Sequence, residues 1–417
     1  MIVIKRRMKQ ARAFVLEAAI SAAMLIAPGV ALAQVGTGPA VLFPSLTSFS
    51  STADRMISYR QEQHNWQTPD GAFHLMINRG DQPGDDALQL YTSVDGGTNW
   101  VAGPSLEGSN QYSTQDGILR GKTLALVYSS DTQSVEYRSF LWDPVSATWS
   151  ASDSQTVFAS AGQQAINPCI GRDDNGNLWV PLVVRDLATL DNSIRMMVRL
   201  YGSDDWTDTG LVFGDVDGPN IERSAVPIAI PNGMGMVYTV HNKMYWATRD
   251  NQAPPTAPWT SQLLYTYAGT HTDPFSSHFS LVSDNRGNLH LALVDGGRLL
   301  YLRYNAANQT WKQRWLTTDI DAGYPQVSMV NNTLMIAVNS KSNVGVFTSP
   351  DLGSTFTHSY SLRHGAPPAG VSYRYPRIET AATISGPMLL FQQYTDNGVD
   401  RLLQYLVPVG PGNPSSK

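Results

Sequence analysis

The chain has 417 residues, one cysteine and a formal net charge of −5 at pH 7. This acidic balance, with 15% charged residues, excludes the basic footprint that is typical of nucleic-acid-binding proteins. A single cysteine excludes an internal disulfide, and no Cys/His cluster has zinc spacing, so we expect no metal and no other cofactor.

Residues 1–33 have the features of an export signal. The basic run KRRMKQAR precedes the apolar run FVLEAAISAAMLIAPGV, and Ala31-Leu32-Ala33 suits cleavage before Gln34. A membrane anchor is the alternative, although the apolar run is short and contains Glu17 and Pro28. We therefore expect a secreted or periplasmic bacterial protein without stable membrane insertion.

Residues 59–408 repeat one pattern of short strands. In the first repeat, the apolar run AFHLMI follows a turn at Pro69-Asp70-Gly71, and ALQLYTSV follows the polar loop RGDQPGDD. The turn recurs at intervals of 45 to 57 residues, and a strand-like run follows it each time. The turn positions are Gly71, Gly121, Gly176, Gly233, Gly287, Asn331-Asn332 and Gly386.

An aromatic residue marks the same repeat independently, again at intervals of 45 to 57 residues. These aromatic residues are Trp100, Trp149, Trp206, Trp259, Trp311 and Phe356. Two markers that share a period of about fifty residues predict an all-β fold, a β-propeller of seven four-stranded blades. A six-bladed ring is the alternative. We expect the propeller to be a monomer.

The two ends of the repeat region predict how the ring closes. The last repeat supplies PMLLFQQY and RLLQYLV and is then one strand short, before the Gly/Pro/Ser-rich residues 409–417, which we expect to be disordered. Residues 34–58 contain one strand-like piece, AVLFPSLTSF. Because open sheet edges invite mispairing, we expect this piece to complete the last blade.

In this architecture the first strand of each blade lines the central axis, and the starts of these inner strands share one end, the predicted mouth. Arginines of the first, fourth and seventh repeats fall there, and guanidinium groups match a carboxylate or sulfate in two-point fashion. We therefore expect an anionic ligand, although these arginines could instead tie neighbouring blades together. The positions near the mouth are Tyr59, Arg60, Tyr112, Asn167, Glu222, Arg223, His278, Tyr324, Arg374, Tyr375 and Arg377.

Acidic side chains are candidates for proton transfer. The loop 79–86 opens at the same mouth, and crowding of Asp85 against Asp86 would raise the pKa of one carboxyl toward that of a useful acid. A solvated Gly/Asp-rich turn is the alternative interpretation. Glu222 could activate a neighbouring hydroxyl group or pair with Arg223.

The remaining chemically versatile residues are weaker candidates. His278 begins an inner strand and His241 ends a second strand, so a His–Tyr pair at the mouth could act as base and acid in a lyase. His64, His74 and His290 lie inside strand patterns, where packing or surface roles are expected. Cys169 is expected to be a small buried hydrophobic residue.

Two turns resemble a known repeat. Ser93–Trp100 (SVDGGTNW) and Ser349–Phe356 (SPDLGSTF) are similar to the Asp-box, S-x-D-x-G-x-T-W, in which Ser and Asp side chains satisfy turn amides. The chain thereby resembles the Asp-box (BNR) repeat proteins of the sialidase superfamily. Tyr59-Arg60 also matches the first two letters of the Tyr/Phe-Arg-Ile-Pro motif of that family, although Gln61-Glu62 follows here.

The resemblance implies roles for individual residues. Arg60, Arg223 and Arg377 would hold the substrate carboxylate, and Asp85 or Asp86 would be the acid/base. Glu222 would activate the nucleophile Tyr375, with Tyr324 as a second candidate. A tyrosine nucleophile suits a substrate whose own acid group would repel a carboxylate nucleophile. The implied function is a sialidase-like glycosidase that acts on an acidic oligo- or polysaccharide.

Two alternatives stay open. Sialidases have six blades and this sequence predicts seven, as in ulvan-type polysaccharide lyases and a rhamnosidase of the wider Asp-box group. In addition, HNK from His241 stands where the family has its second arginine. A lyase that acts on uronate-containing glycans is therefore one alternative, and a non-catalytic propeller that binds a glycan or a protein is the other.

Overall fold

The computed structural model describes residues 39–53, 55–57, 61–80, 86–217, 223–268, 279–317, 323–339, 343–363, 369–372, 378–380 and 385–409. From Ala40 onward these residues form one compact unit. All of its regular elements are β-strands, numbered β1 to β31. Within the described residues, no helix has the length and apolarity needed to span a bilayer.

The strands form seven sheets, which confirms the predicted seven-bladed propeller. Two strands precede the blades, β1 (Ala40–Leu42) and β2 (Ser45–Ser51). Blade one contains β3 (Asn65–Gln67), β4 (Phe73–Asn78), β5 (Leu88–Ser93) and β6 (Val101–Ser105). Blade two contains β7 (Gln115–Arg120), β8 (Thr123–Ser129), β9 (Val135–Asp143) and β10 (Thr148–Phe158). Blade three contains β11 (Gln163–Ile166), β12 (Gly171–Arg172), β13 (Leu178–Asp186), β14 (Asn192–Arg199) and β15 (Trp206–Asp217).

The later blades repeat the same antiparallel meander. Blade four contains β16 (Ser224–Ile230), β17 (Gly233–Val240), β18 (Lys243–Asp250) and β19 (Thr260–Thr266). Blade five contains β20 (Phe279–Ser283), β21 (Leu289–Asp295), β22 (Arg298–Asn305) and β23 (Thr310–Trp315). Blade six contains β24 (Gly323–Val330), β25 (Thr333–Asn339), β26 (Asn343–Ser349) and β27 (Thr357–Arg363). Blade seven contains β28 (Val371–Ser372), β29 (Ile378–Thr380), β30 (Met388–Asp396) and β31 (Val399–Val407).

Residues before the first blade complete the last one. β2 pairs antiparallel with β31, so it becomes the outermost strand of blade seven. This is the closure expected from the short final repeat. β1 instead runs parallel to β27 at the outside of blade six, with Ala40 opposite Tyr360. Val409, which was predicted to belong to a disordered tail, instead packs against the apolar cluster of blades six and seven, and residues 410–417 lie outside the described residues.

The turns after the inner strands explain the glycine pattern. Gly71, Gly121 and Gly176 have φ values of +93°, +60° and +89°, which favour a residue without Cβ. Gly233 differs, because Asn232 holds the left-handed position there, with φ of +60°. A Cβ on Gly233 would lie 2.5 Å from the carbonyl oxygen of Arg249, so close backbone approach explains this glycine.

The periodic aromatic residues join each blade to the preceding one. Each lies in the fourth strand of its blade or immediately before it, and its ring packs on an aromatic ring of the blade before. The pairs, with centroid separations between 4.7 and 5.7 Å, are Trp149–His74, Trp206–Tyr137, Trp259–Trp179, Trp311–Trp246, Phe356–Tyr301 and Trp100–Phe391. We call these six fourth-strand residues the aromatic wedges.

Two wedges carry the additional turn predicted from the sequence. In blade one, Ser93 Oγ donates to Asp95 Oδ1 at 2.8 Å and accepts the Gly97 N–H at 2.8 Å. The pairs Ser349–Asp351 and Gly353–Ser349 repeat these bonds in blade six, both at 2.7 Å. The backbone N–H of Asn99 bonds to Asp95 and is the main cause that lowers the pKa of this carboxyl to about 2.

Candidate functional site

Most of the predicted mouth residues lie outside the described residues. These are Tyr59, Arg60, Asp85, Glu222, His278, Arg374, Tyr375 and Arg377. Their roles stay predictions. Five predicted residues are described: Asp86, Tyr112, Asn167, Arg223 and Tyr324.

Asp86 is engaged within its own blade. Its Oδ1 accepts the N–H of Gly108 at 2.9 Å, and its Oδ2 accepts the hydroxyl of Ser105 at 3.1 Å. Its carbonyl oxygen accepts a bond from Arg79 Nη2 at 2.6 Å. These contacts tie the loop before β5 to the end of β6, and Asp86 is not among the residues that line the axial cavity. These contacts indicate that Asp86, one of the two candidate acids, has a structural role within blade one.

Arg223 and Tyr324 lie at the starts of inner strands. Arg223 immediately precedes β16 and is only 2% exposed. Tyr324 is the second residue of β24, where the register shifts between Gly323 and Gln326, and its φ is +53°. A left-handed backbone is costly for a residue with a bulky side chain, and such strain is concentrated at functional sites. Asn167, another predicted mouth position, also has a positive φ of +49°.

A cavity of about 380 Å³ follows the axis of the ring. Residues in or beside the inner strands of blades one to six line it. Its polar inner part includes Gln61, Glu62 and Asp116, all buried. Along β7 the lining continues from Asp116 to the exposed Arg120, a distance of about 13 Å at the usual strand rise. The sequence predicted an opening at the starts of the inner strands, whereas this cavity reaches the surface at their ends.

Asp116 joins three blades beside this cavity. Its Oδ1 accepts the N–H of Gln63 at 2.7 Å, and its Oδ2 accepts the N–H of Ile170 at 2.8 Å. Burial raises the pKa of Asp116 to about 7, against the opposing effect of these hydrogen bonds. A carboxyl of this kind in a cavity is a functional-site candidate. Sequence reasoning missed it because only residues at the first positions of the inner strands were considered.

The structure agrees with the packing roles expected for three histidines and for Cys169, whereas His278 lies outside the described residues and the role of His241 stays a prediction. His64, His74 and His290 are at most 2% exposed, as packing residues are, and Cys169 is fully buried in an apolar cluster. His64 Nε2 lies 3.8 Å from Glu62 Oε2 near the inner end of the cavity. Within the described ranges, no three His, Cys, Asp or Glu side chains are placed to hold a metal ion.

A second cavity, of about 340 Å³, lies between blades two and three and adjoins the first. Ile118, Arg120 and Arg172 line both cavities. Arg120 is the last residue of β7, and Arg172 is the last residue of β12. In the sequence, the signal for Arg120 and Arg172 is therefore an arginine at the end of the inner strand in two consecutive repeats. Sequence reasoning aligned only the strand starts and did not detect it.

Three solved structures show the range of proteins to which this chain is similar. Polysaccharide lyase Uly1 is 13% identical, with a TM-score of 0.49 over 83% of this chain and 90% of the lyase. An ulvan lyase of family PL25 is 11% identical, with a TM-score of 0.49 over 86% of this chain and 96% of the lyase. Trypanosoma rangeli sialidase is 12% identical, with a TM-score of 0.49 over 73% of this chain and 55% of the sialidase.

No protein-family model and no curated protein sequence matches this chain. These structural neighbours are carbohydrate-active propellers at low sequence identity. The seven-bladed fold is established by the sheet topology.

Proposed function

We propose that this chain binds an acidic glycan at the mouth formed by the starts of its inner strands and cleaves it as a sialidase-like glycosidase. The observation that carries the proposal is the position of Arg223 and Tyr324. A nearly buried guanidinium precedes β16, and a tyrosine with a left-handed backbone begins β24. Because every blade begins with its inner strand, these positions belong to the same end of the ring.

The proposed reaction assigns one role to each predicted residue. Arg60, Arg223, Arg374 and Arg377 bind the carboxylate, while His278 and Tyr324 contact the sugar. The Tyr375 oxygen, deprotonated by Glu222, forms a bond to the anomeric carbon, and the leaving oxygen takes a proton from Asp85. Water then attacks the anomeric carbon, Asp85 takes the proton of the water, and the bond to Tyr375 breaks as the Tyr375 oxygen takes its proton back from Glu222. We choose Asp85 over Asp86 because both Asp86 oxygens accept bonds from blade one.

The second candidate function is a polysaccharide lyase, and the seven-blade count favours it, since sialidases have six. In a lyase an arginine would neutralise the uronate carboxylate, and a histidine or tyrosine would remove the neighbouring proton. His278 and Tyr324 are the candidates. This reaction leaves an unsaturated uronate, whereas the glycosidase releases an intact acidic monosaccharide.

One experiment separates these reactions. Purified protein is incubated with a sialylated oligosaccharide and, separately, with a uronate-containing polysaccharide. Released monosaccharide is measured by chromatography, and unsaturated uronate by ultraviolet absorbance. For the glycosidase, Tyr375→Phe and Asp85→Asn should each lower kcat/KM by about a hundredfold or more. Tyr112→Phe is the matched control, because Tyr112 lies at the same end, is 80% exposed and has no assigned role.

Each outcome has one interpretation. Monosaccharide release that depends on Tyr375 supports the glycosidase. Ultraviolet absorbance that persists in Tyr375→Phe contradicts it in favour of the lyase. Glycan binding without any product, unchanged by both variants, contradicts both reactions and indicates a binding propeller.

Export of the chain also stays part of this proposal, and cell fractionation tests it.

A further inference from the structure

The cleft between blades two and three contains two arginines without an acidic partner. Arg120 and Arg172 line it, and neither forms an ion pair within the described part of the chain. Arg172 Nε is buried and finds no hydrogen-bond acceptor there. Arg199, which also lines the cleft, differs, since its Nη1 donates to Asp153 Oδ2 at 2.6 Å. Two cationic groups are thus left uncompensated in one concave surface.

An exposed aromatic ring lies beside one of these arginines. Tyr201 is 75% exposed, although its backbone N–H is fixed by a 2.8 Å bond to Asn177 Oδ1. A Cβ placed on Gly176 would lie 2.9 Å from Tyr201 Cδ2 and 3.1 Å from Arg172 Nη2. The ring and the guanidinium therefore flank the same glycine. The absence of a side chain at Gly176 leaves both groups accessible from the cleft.

We propose that this cleft is a second binding site, for an acidic saccharide unit, at the end of the ring opposite the mouth. Arg120 and Arg172 bind the carboxylate or sulfate group through charge-assisted hydrogen bonds, and the apolar face of the sugar lies against Tyr201. Among the described residues that line the cleft, Asp204 is the only carboxylate, so the cationic character of the cleft persists. The site uses none of the residues assigned to cleavage.

The cleft also connects with the axial cavity. Arg120 and Arg172 line both cavities, so an anionic group that they bind lies between two spaces that can hold sugar units. These spaces are about 340 Å³ in the cleft and about 380 Å³ along the axis. Cavities of this size enclose small ligands. The site therefore suits an acidic unit within a chain as well as one at its end.

The test uses the full-length chain and three labelled tetrasaccharides: an oligogalacturonate, a sulfated galactan and a neutral galactan. Dissociation constants are measured by fluorescence polarisation at low and high salt. We expect both acidic probes to bind, with affinity that falls at high salt, and the neutral probe not to bind. Arg120→Gln and Arg172→Gln should each weaken binding about ten- to a hundredfold, the usual effect of a charge-assisted bond.

Two further measurements locate the site. Tyr201→Ala changes a surface residue and should weaken binding about threefold or more, with an unchanged melting temperature. Hydrogen exchange should slow in residues 172–178 and 199–204 when an acidic probe binds. Arg298→Gln is the matched control, because Arg298 is exposed and stacks on Trp315 at 4.1 Å in blade five. It should leave binding unchanged.

Three outcomes would overturn the proposal. One is an equal loss in Arg298→Gln and Arg172→Gln, which would indicate general surface charge. Another is inorganic sulfate displacing the probe as well as unlabelled oligosaccharide does, which would reduce the site to a simple ion site. The third is protection confined to other segments. Failure of the proposed cleavage reaction changes none of these readouts.

Discussion

The interface between blades one and two and the interface between blades four and five use the same aromatic wedge in different surroundings. Trp149 packs on His74 at 4.7 Å, and its Nε1 donates to His74 Nδ1 at 3.1 Å and to Thr92 Oγ1 at 3.2 Å. Trp311 packs on Trp246 at 5.4 Å, and its Nε1 has no hydrogen-bond partner in the described structure. Both interfaces thus have a tryptophan that packs on a ring of the preceding blade, but only the indole N–H of Trp149 has hydrogen-bond partners in the described structure.

Removal of the ring tests what the two interfaces share. Trp149→Ala and Trp311→Ala should each lower the free energy of unfolding by about 3 kcal/mol, because each leaves a void against the neighbouring blade. Denaturant unfolding with a common m-value measures both. Tyr112→Ala, which removes an exposed ring, is the control and should change stability little. A small effect at Trp311 would show that apolar wedges are dispensable.

Acidification should distinguish the two interfaces. The Trp149 indole N–H can only donate and has His74 Nδ1 within reach, so we assign the proton of the neutral ring to Nε2, 3.1 Å from Thr68 Oγ1. Burial lowers the pKa of His74 to about 3, whereas an unfolded histidine has a pKa near 6.5. Between these values the unfolded state binds more protons, so stability is lost as pH falls from about 6.5 to 3, by a few kcal/mol.

The measurement is the free energy of unfolding of the wild type and His74→Gln from pH 7 to pH 4. The wild type should be destabilised more steeply by acid than the variant. Parallel curves would show that His74 does not titrate differently in the two states. Trp311→Phe should keep the acid dependence of the wild type, because Trp311 packs on Trp246 and Tyr304 and the change leaves the interface of His74 intact.

A conservative change isolates the hydrogen bond. Trp149→Phe keeps an aromatic ring but removes the donor to buried His74, so it should cost about 1–3 kcal/mol. Trp311→Phe removes an indole N–H that has no partner, so it should cost less, about 1 kcal/mol. Thermal melting of both variants checks the ranking. The reverse ranking would mean that ring size, and not the polar contact, separates the interfaces.

The smallest effect is expected at the polar turn beside a wedge. Asp351 accepts the N–H of Thr355 at 2.8 Å, but this turn lies at the surface. Asp351→Ala should therefore cost about 1 kcal/mol or less, while Asp351→Asn, which keeps an acceptor, should cost still less. Chemical denaturation of the two variants provides the comparison. A loss equal to that of a wedge would show that the turn, and not the aromatic ring, holds the blade edge.

The sequence predicted those parts of the fold that depend on neighbours along the chain. Gly71 and Gly121 indicate turns because the left-handed backbone that each turn needs depends only on neighbouring residues. Trp149 indicates a strand because an aromatic residue recurs at this position of each repeat. The partner of Trp149 was not predictable. His74 lies 75 residues away, and its pairing with the wedge follows from the packing of one blade on the next.

The candidate site was less accessible to sequence reasoning for the same reason. Asp116 stands inside a strand pattern, and its pKa depends on burial by three blades and on N–H groups of Gln63 and Ile170. In the sequence, Arg120 and Arg172 each look like an ordinary charged residue beside a hairpin turn. Only the adjacency of blades two and three brings them into one cleft.

The strand β2 has a consequence for the order of folding. Its Thr47 hydroxyl donates to the carbonyl of Leu402, a contact that spans 355 positions of the chain. Contacts of such long range impose a large entropic cost of loop closure and slow folding. The four-stranded meanders of blades one to six can form locally, whereas the outermost strand of blade seven, and β1 beside blade six, must come from the other end of the described chain. Before β2 pairs with it, β31 presents an open edge, so we expect the nearly complete ring to be prone to self-association.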